Sequence, residues 1–110
     1  MAAPYTRRLA AELLELADWS VLYVHNTAST VILRDIVVCW DNPGELANFK
    51  LGVQPVTKTG FVELLATPLT ANQTIHLDLR QELLVNEEVL AYSSAPAGPY
   101  VWITAYVFEA

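Results

Sequence analysis

Cysteine, glycine and charged residues are scarce in this chain of 110 residues, and each shortage excludes a class of protein. The single cysteine, Cys39, cannot form a disulfide within the chain, so a hydrophobic core must stabilise the fold. Its apolar neighbours Val38 and Trp40 predict a buried small hydrophobe rather than a reactive thiol. Only four glycines are present, and neither GxxxxGKS/T nor GxGxxG occurs, which argues against a phosphate-cradling loop.

The charge composition points away from nucleic acid and towards an oligomer. Six lysines and arginines are scattered without a basic stripe, and the net charge is −6, so we expect neither nucleic acid nor a membrane as a partner. Charged residues make up 16% of the chain and hydrophobic residues 54%. A typical soluble domain has about 25% charged residues. One domain of this length therefore has surplus apolar surface, which we expect an oligomer to bury.

The residue types that catalysis and metal binding require are few and dispersed. His25 lies in a turn-like segment, and we predict that it is solvated. His76 shares a predicted strand face with Asp78, and although such a pair can serve acid/base chemistry, an exposed polar row is the preferred interpretation. Two histidines and one cysteine show no metal-ligand spacing. We therefore predict no enzyme, with no catalytic residue, no cofactor and no metal.

Short apolar runs separated by turn residues fill most of the chain. The run TVILRDIVVCW, residues 30–40, is rich in β-branched residues and has neither glycine nor proline, which is typical of a strand. Turn signals such as the DNPG sequence at residues 41–44 separate the runs. Seven or eight short strands predict an all-β fold, either an antiparallel β-sandwich, jelly-roll or immunoglobulin-like, or a closed barrel. The predicted strands are residues 19–24, 30–40, 47–53, 61–67, 74–79, 88–93 and 100–108.

The first eighteen residues allow two interpretations. Leu9, Leu13 and Leu16 are spaced as one helical stripe, but the same segment also alternates as a strand. We predict an N-terminal arm, or a first strand or helix, over residues 1–18, followed by the sandwich domain over residues 19–110. Deletion of residues 1–15 from a chain with such an arm would weaken assembly and leave the sandwich folded. Glu12 and Glu15 occupy the place of a signal peptide's apolar core, so we expect no secretion signal.

The last predicted strand, residues 100–108, is apolar on both faces. Alternation places Val101, Ile103, Ala105 and Val107 on one face, and Trp102, Thr104, Tyr106 and Phe108 on the other. One face belongs in a sandwich core, and the other needs a second layer or a neighbouring subunit. Because aromatic residues contribute much of the binding energy of interfaces, Trp102, Tyr106 and Phe108 are the predicted anchors.

A charged pair interrupts another apolar strand. Arg34 and Asp35 are adjacent, and adjacent strand residues point to opposite faces, so we expect that they do not pair with each other. One of them would then face the interior or a subunit contact, where a charge needs a partner. We predict buried or interfacial bidentate pairs for Arg34 and Arg80, with Asp78 or Glu82 as partners.

Two segments, VLYVHNTASTVILRDIVV and the stretch from residue 69 to 110, resemble small β-sandwich proteins encoded among the structural genes of tailed bacteriophages. The matching features are the RDI sequence at residues 34–36, the AN turn at 71–72, the following Leu-Asp strand and the closing YVFE at 106–109. The resemblance covers a little over half of the chain. HNT at residues 25–27 and NEE at 86–88 replace the Pro-Ala-Gly and Pro-Gly-Asp turns that are frequent in the group.

The resemblance implies a virion component, of the minor tail, baseplate, collar or head decoration type. Our leading hypothesis is a non-enzymatic, tail-associated subunit of the minor tail, baseplate or collar type that oligomerises, for example as a trimer or hexamer, and docks on other virion proteins. Such a protein would be made in the host cytoplasm and located in the phage particle. Two alternatives stay open: a head decoration protein on the same sandwich, and a carbohydrate-binding module that uses exposed tryptophan and tyrosine to bind host glycans.

Overall fold

Strands account for the regular structure in the described part of the chain. The computed structural model describes residues 5–14, 18–41, 47–57, 60–70, 72–94 and 98–108, and within these ranges it has strands and no helix. The eight strands are β1 (Tyr5–Leu13), β2 (Trp19–His25), β3 (Thr30–Trp40), β4 (Ala47–Pro55), β5 (Val62–Leu69), β6 (Gln73–Leu83), β7 (Glu87–Ser93) and β8 (Tyr100–Phe108). In the described part of the chain, no helix has the length and apolar character needed to cross a membrane.

The strands form two antiparallel sheets of four. The first sheet has the order β1-β8-β3-β6, and the second has the order β2-β7-β4-β5. Every connection crosses between the sheets except that of the β4–β5 hairpin. This interleaved eight-strand order is a jelly roll, which confirms the predicted sandwich and decides against the immunoglobulin-like and closed-barrel alternatives.

The inward side chains of both sheets form one hydrophobic core. In β8, Val101, Ile103 and Ala105 are fully buried, while their neighbours Trp102 and Thr104 lie on the outer face, as the alternation predicts. A fully buried Leu, Ile or Phe side chain contributes about 1.5–3 kcal/mol through removal from water. The largest buried side chains include Trp40, Phe49, Leu33, Ile36, Leu51, Leu69, Leu83 and Ile103.

The predicted strands agree well with the observed ones, and β3 and β8 have the predicted bounds. The strand β6 extends four residues beyond its predicted end at Leu79, because exposed and half-buried positions continue to alternate as far as Leu83. The turns that flank β6 contain Asn72 and Asn86 at φ of 52° and 66°, a left-handed conformation that asparagine tolerates better than most residues.

Residues 5–13 form a strand, so the helix alternative is wrong. The strand β1 pairs with β8 from Tyr5 opposite Val107 to Leu13 opposite Tyr100, and it is an edge of the first sheet. Leu14 is buried, and its N–H donates to the Pro99 carbonyl oxygen at 2.9 Å. This segment belongs to the sandwich, so deletion of residues 1–15 should destabilise the first sheet, unlike deletion of a free arm. Residues 1–4 and 15–17 lie outside the described ranges.

Two predictions about single residues are wrong. His25 is only 1% exposed rather than solvated, because the turn that follows β2 brings the Ser29 carbonyl oxygen within 2.8 Å of its Nε2 atom. Cys39 is half-buried on the outer face of β3 rather than in the core, since its register partners Thr74 and Tyr100 both point outward. The Thr74 hydroxyl contacts the Cys39 sulfur at 3.8 Å.

Candidate interface on the outer face of the first sheet

The side chains predicted for an interface all lie on the outer face of the first sheet. Trp102, Tyr106 and Phe108 project from β8. Arg34 projects from β3 and Arg80 from β6, the two strands that follow β8 in this sheet. They share a face because each strand presents its core residues to the other side. We name this surface the first outer face.

Aromatic side chains occupy the β8 portion of the first outer face. The Tyr100 and Trp102 rings have centroids 4.4 Å apart with an interplanar angle of 46°, and the Tyr100 hydroxyl donates to the Ala11 carbonyl oxygen at 3.2 Å. This hydrogen bond joins β8 to β1 and helps to hold the ring in place. At the other end of β8, the Arg34 guanidinium lies 4.6 Å from the centroid of the Tyr106 ring, a cation–π contact.

The prediction that Arg34 and Asp35 point to opposite faces of β3 is wrong. The β3–β8 register shifts between Leu33 and Asp35, so Arg34 is an extra residue in a β-bulge. Leu33 and Ile36 both point into the core with no exposure, and the two charged residues between them emerge on the outer side. They therefore contact each other, with Arg34 Nε 3.7 Å from Asp35 Oδ2. Because both side chains are accessible to solvent, this ion pair contributes little to stability.

The predicted bidentate pair of Arg80 is not formed among the described residues of this chain. Arg80 is exposed, and no carboxylate of the described residues lies within ion-pair distance of it. It lines a shallow concavity of about 480 Å³ on the first outer face, together with Ile32, Glu82, Tyr106 and Phe108. Arg80 is thus available for a partner in another molecule, and an interfacial pair stays a prediction.

His76 lies in an exposed polar row on β6, as the preferred interpretation of the sequence predicts. The side chains of Thr74, His76 and Asp78 point to solvent, while Ile75 and Leu77 turn towards the core. The structure adds a residue that sequence reasoning did not associate with them, because Asp35 on β3 lies directly opposite Asp78. The His76 Nε2 atom is 3.2 Å from Asp35 Oδ1 and 3.4 Å from Asp78 Oδ1.

The contacts within this histidine–aspartate group lower the pKa of Asp35. A hydrogen bond from the Asp78 carboxyl group, together with His76 and Arg34, holds the pKa of Asp35 below its ordinary value, and partial desolvation opposes them. One ligand atom from each of Asp35, His76 and Asp78 lies within 4.8 Å of the others, so the group has the donors to contact a divalent cation. All three side chains are accessible to solvent, and a protonated His76 can itself compensate two facing carboxylates.

Sequence reasoning missed a second surface. Trp19, Phe61 and Tyr92 meet on the outer face of the second sheet, with Trp19 directly opposite Tyr92 in the β2–β7 pair. Each aromatic residue is visible in its own predicted strand or turn. Their proximity depends on strand pairing across more than half of the chain, and no local pattern indicates it.

Comparisons with known proteins identify no family for this chain. No family model matches the chain, and no curated protein matches it. One similar solved structure is a chain in a structure of infectious bursal disease virus, Gx strain, with a TM-score of 0.48 and 10% sequence identity. The match covers 96% of this chain but 31% of that chain. A likeness at this level does not indicate a shared function.

Proposed function

We propose that this chain is a non-enzymatic structural subunit of a tailed-bacteriophage particle, associated with the tail, and that it assembles through the first outer face. The observation that carries the proposal is the placement of Trp102, Tyr106, Phe108, Arg34 and Arg80 on that one face. Two further points support it: the resemblance of residues 21–38 and 69–110 to phage β-sandwich proteins, and a jelly-roll fold, which is common in viral coat and lectin domains.

The chemistry of the first outer face suits a protein contact. Half-buried aromatic rings lie beside charged side chains, which is the composition of an interface core with its polar rim. Large aromatic side chains and arginine are the residue types that most often contribute 2 kcal/mol or more to binding. Burial of the concavity beside Tyr106 and Phe108 would remove that apolar surface from water.

The occupant that fits this face best is a second copy of the chain. The face carries both charge signs, with Arg34 and Arg80 near Asp78 and Glu82. A surface that holds both partners of an ion pair can be complementary to itself, as a two-fold contact requires, and it can also offer its two charge signs to two different neighbours in a ring. In such a contact, Arg80 of one copy pairs with a carboxylate, Asp78 or Glu82, of the neighbouring copy.

Assembly through a face fits this molecule better than pairing of sheet edges. The edge strands β1, β2 and β5 each have a register shift against their neighbour, and β5 also contains Pro68. The fourth edge strand, β6, carries a row of polar and charged side chains. Bulges, prolines and charges are the features that keep strand edges from pairing with other chains. A buried face is therefore the proposed mechanism.

The first test is the solution mass of the purified chain, measured by light scattering over a concentration series. We expect a closed oligomer, such as a trimer or hexamer, that dissociates on dilution. A chain that stays monomeric at millimolar concentration would contradict assembly through this face. Antibodies raised against the chain should then label the tail of purified particles. Labelling of the head would instead favour decoration of the capsid, and unlabelled particles would contradict the virion role.

A further inference from the structure

The outer face of the second sheet carries a row of side chains that the proposed assembly does not use. Trp19 on β2 is opposite Tyr92 on β7, Tyr92 is opposite Lys50 on β4, and Lys50 is opposite Ala66 on β5. The row crosses all four strands of the second sheet at one level. It lines a shallow groove of about 460 Å³, together with Asn48, Phe49, Thr67 and Pro68.

The Trp19 ring is exposed and yet fixed in position. It is 41% exposed, and it contacts the Phe61 ring edge-on at 5.3 Å and the Tyr92 ring at 5.4 Å. At the start of β2, the Trp19 N–H donates to Asp18 Oδ1 at 2.8 Å, which anchors its backbone. Large aromatic surface that is held rigid and left open to solvent loses little entropy when a ligand binds.

A glycine helps to hold Phe61 in place. The Phe61 ring covers Gly52, and any side chain at position 52 would collide with that ring and with the Val62 carbonyl oxygen. Gly52 thus leaves room for Phe61, and Phe61 supports one side of the Trp19 ring. This close approach explains a glycine in the interior of a strand, where it otherwise weakens the sheet.

Among the described residues, the Lys50 and Asn48 side chains of the groove have no hydrogen-bond or ion-pair partner, whereas the Thr67 hydroxyl donates to the Pro68 carbonyl oxygen at 3.0 Å. Lys50 is exposed, and no carboxylate in the described ranges lies within ion-pair distance of it. It is also the only cationic residue in the described strands of the second sheet. The Asn48 backbone N–H donates to the Ser94 hydroxyl oxygen at 2.8 Å, and the exposed Asn48 side-chain amide is available as both donor and acceptor.

We propose that this groove binds an acidic carbohydrate, with Trp19 and Tyr92 packing against a sugar ring and Lys50 binding its carboxylate. A sugar ring combines an apolar C–H face with a rim of hydroxyl groups, and the groove offers aromatic rings beside an amide and an ammonium group. A carboxylate on the sugar forms a charge-assisted hydrogen bond with Lys50, whereas a neutral sugar leaves that cation unpaired.

The groove continues on the far side of Trp19, which favours a ligand of more than one sugar ring. A second concavity of about 530 Å³ is lined by Trp19, Val21, Gln54, Phe61 and Leu90. Trp19 therefore stands between two neighbouring concavities of the same outer face. This inference does not depend on the proposed function, because the groove and the first outer face lie on different sheets.

A glycan array that displays neutral and acidic oligosaccharides tests the proposal with the labelled full-length chain. We expect binding to acidic glycans, its loss in Trp19→Ala, and its retention in Leu84→Ala, which removes another exposed apolar side chain that lines neither the groove nor the concavity beside Phe108. Lys50→Gln should weaken binding to acidic glycans about tenfold, the effect of losing one charge-assisted hydrogen bond. Because Lys50 is exposed, this variant stays informative even if Trp19→Ala does not fold.

Several outcomes would overturn the proposal. An array without signal would do so, and so would binding that Trp19→Ala leaves unchanged in a folded protein. Equal binding of neutral and acidic glycans, unaffected by Lys50→Gln, would overturn the assignment of Lys50 and of the acidic ligand. Binding of a polyglutamate peptide in place of glycans, with loss in both variants, would assign the groove to an acidic protein segment instead.

Discussion

The two outer faces of this sandwich cover the same core, but they expose different chemistry. The first outer face is broad and carries half-buried aromatic residues, Trp102, Tyr106 and Phe108, beside side chains of both charge signs. The second sheet exposes one fixed tryptophan, Trp19, near one unpaired cation, Lys50. Both signs on one face suit contact with an identical subunit, and a single sign in a narrow groove suits a ligand of opposite charge.

The comparison shows that exposure alone does not distinguish the uses of a surface. Trp19 is more exposed than Trp102, and its ring contacts the Phe61 and Tyr92 rings beside a groove. Trp102 belongs to a continuous outward row that runs the length of β8. The arrangement of the surrounding charges therefore decides more about the partner than the area of the aromatic ring does.

Both faces depend on one core, so a core substitution should have the largest effect. We expect Ile103→Ala to lower the free energy of unfolding by about 2–5 kcal/mol, because Ile103 has no exposure and its truncation leaves a cavity. Its neighbour Thr104 lies on the outer face, and Thr104→Ala should change stability by about 0.5 kcal/mol or less. Urea unfolding of both variants measures the difference, and similar values for the two would contradict the assignment of faces.

The next effect separates the two tryptophans. Trp102→Ala should weaken self-association by about tenfold or more, since aromatic anchors often contribute 2 kcal/mol or more to an interface. Trp19→Ala should leave self-association unchanged while it abolishes binding to acidic glycans. Light scattering and the glycan array measure the two properties on the same preparations. If Trp19→Ala also dissociated the oligomer, the division of roles between the two faces would be wrong.

Exchange of the charges at Arg80 and Glu82 on β6 tests whether the first outer face is complementary to itself. Arg80→Glu alone should weaken self-association several-fold, because like charges then meet across the contact. Glu82→Arg should have a similar effect, and the double variant should recover most of the affinity, since both signs are again present. Dissociation constants from light scattering at low and high salt provide the measurement, and additive losses in the double variant would rule out complementary pairing.

Local patterns in the sequence were sufficient to predict the strands and the faces of β6 and β8. Alternation is a property of consecutive residues, so the buried positions Val101, Ile103 and Val107 of β8 follow from it. The same reasoning predicted a sandwich, but strand order comes from pairing between distant segments. The Tyr100 hydroxyl and the Ala11 carbonyl oxygen, for example, are 89 residues apart in the chain.

The errors have a common physical origin. Arg34 and Asp35 share a face because of a bulge, and that bulge depends on the register of β3 against both neighbouring strands. His25 is buried by the turn that follows it, and the groove around Trp19 and Lys50 combines residues from separate strands. Each of these features arises from tertiary contacts, which strand periodicity in a single sequence does not determine.

The smallest effect concerns Asp35 and the pH dependence of stability. The hydrogen bond from Asp78, followed by His76 and Arg34, lowers the pKa of Asp35 in the folded state relative to the unfolded chain. Ionised Asp35 therefore favours the folded state at pH values above its ordinary pKa of about 3.9, and this contribution is lost as the pH falls through the lowered pKa.

Asp35→Asn removes the contribution at every pH. Chemical unfolding at several pH values should then show a stability difference between wild type and variant that is constant above about pH 5 and shrinks below about pH 4. Curves that stay parallel down to pH 2 would mean that Asp35 titrates alike in the folded and unfolded chains, and that the contacts around His76 do not hold its charge.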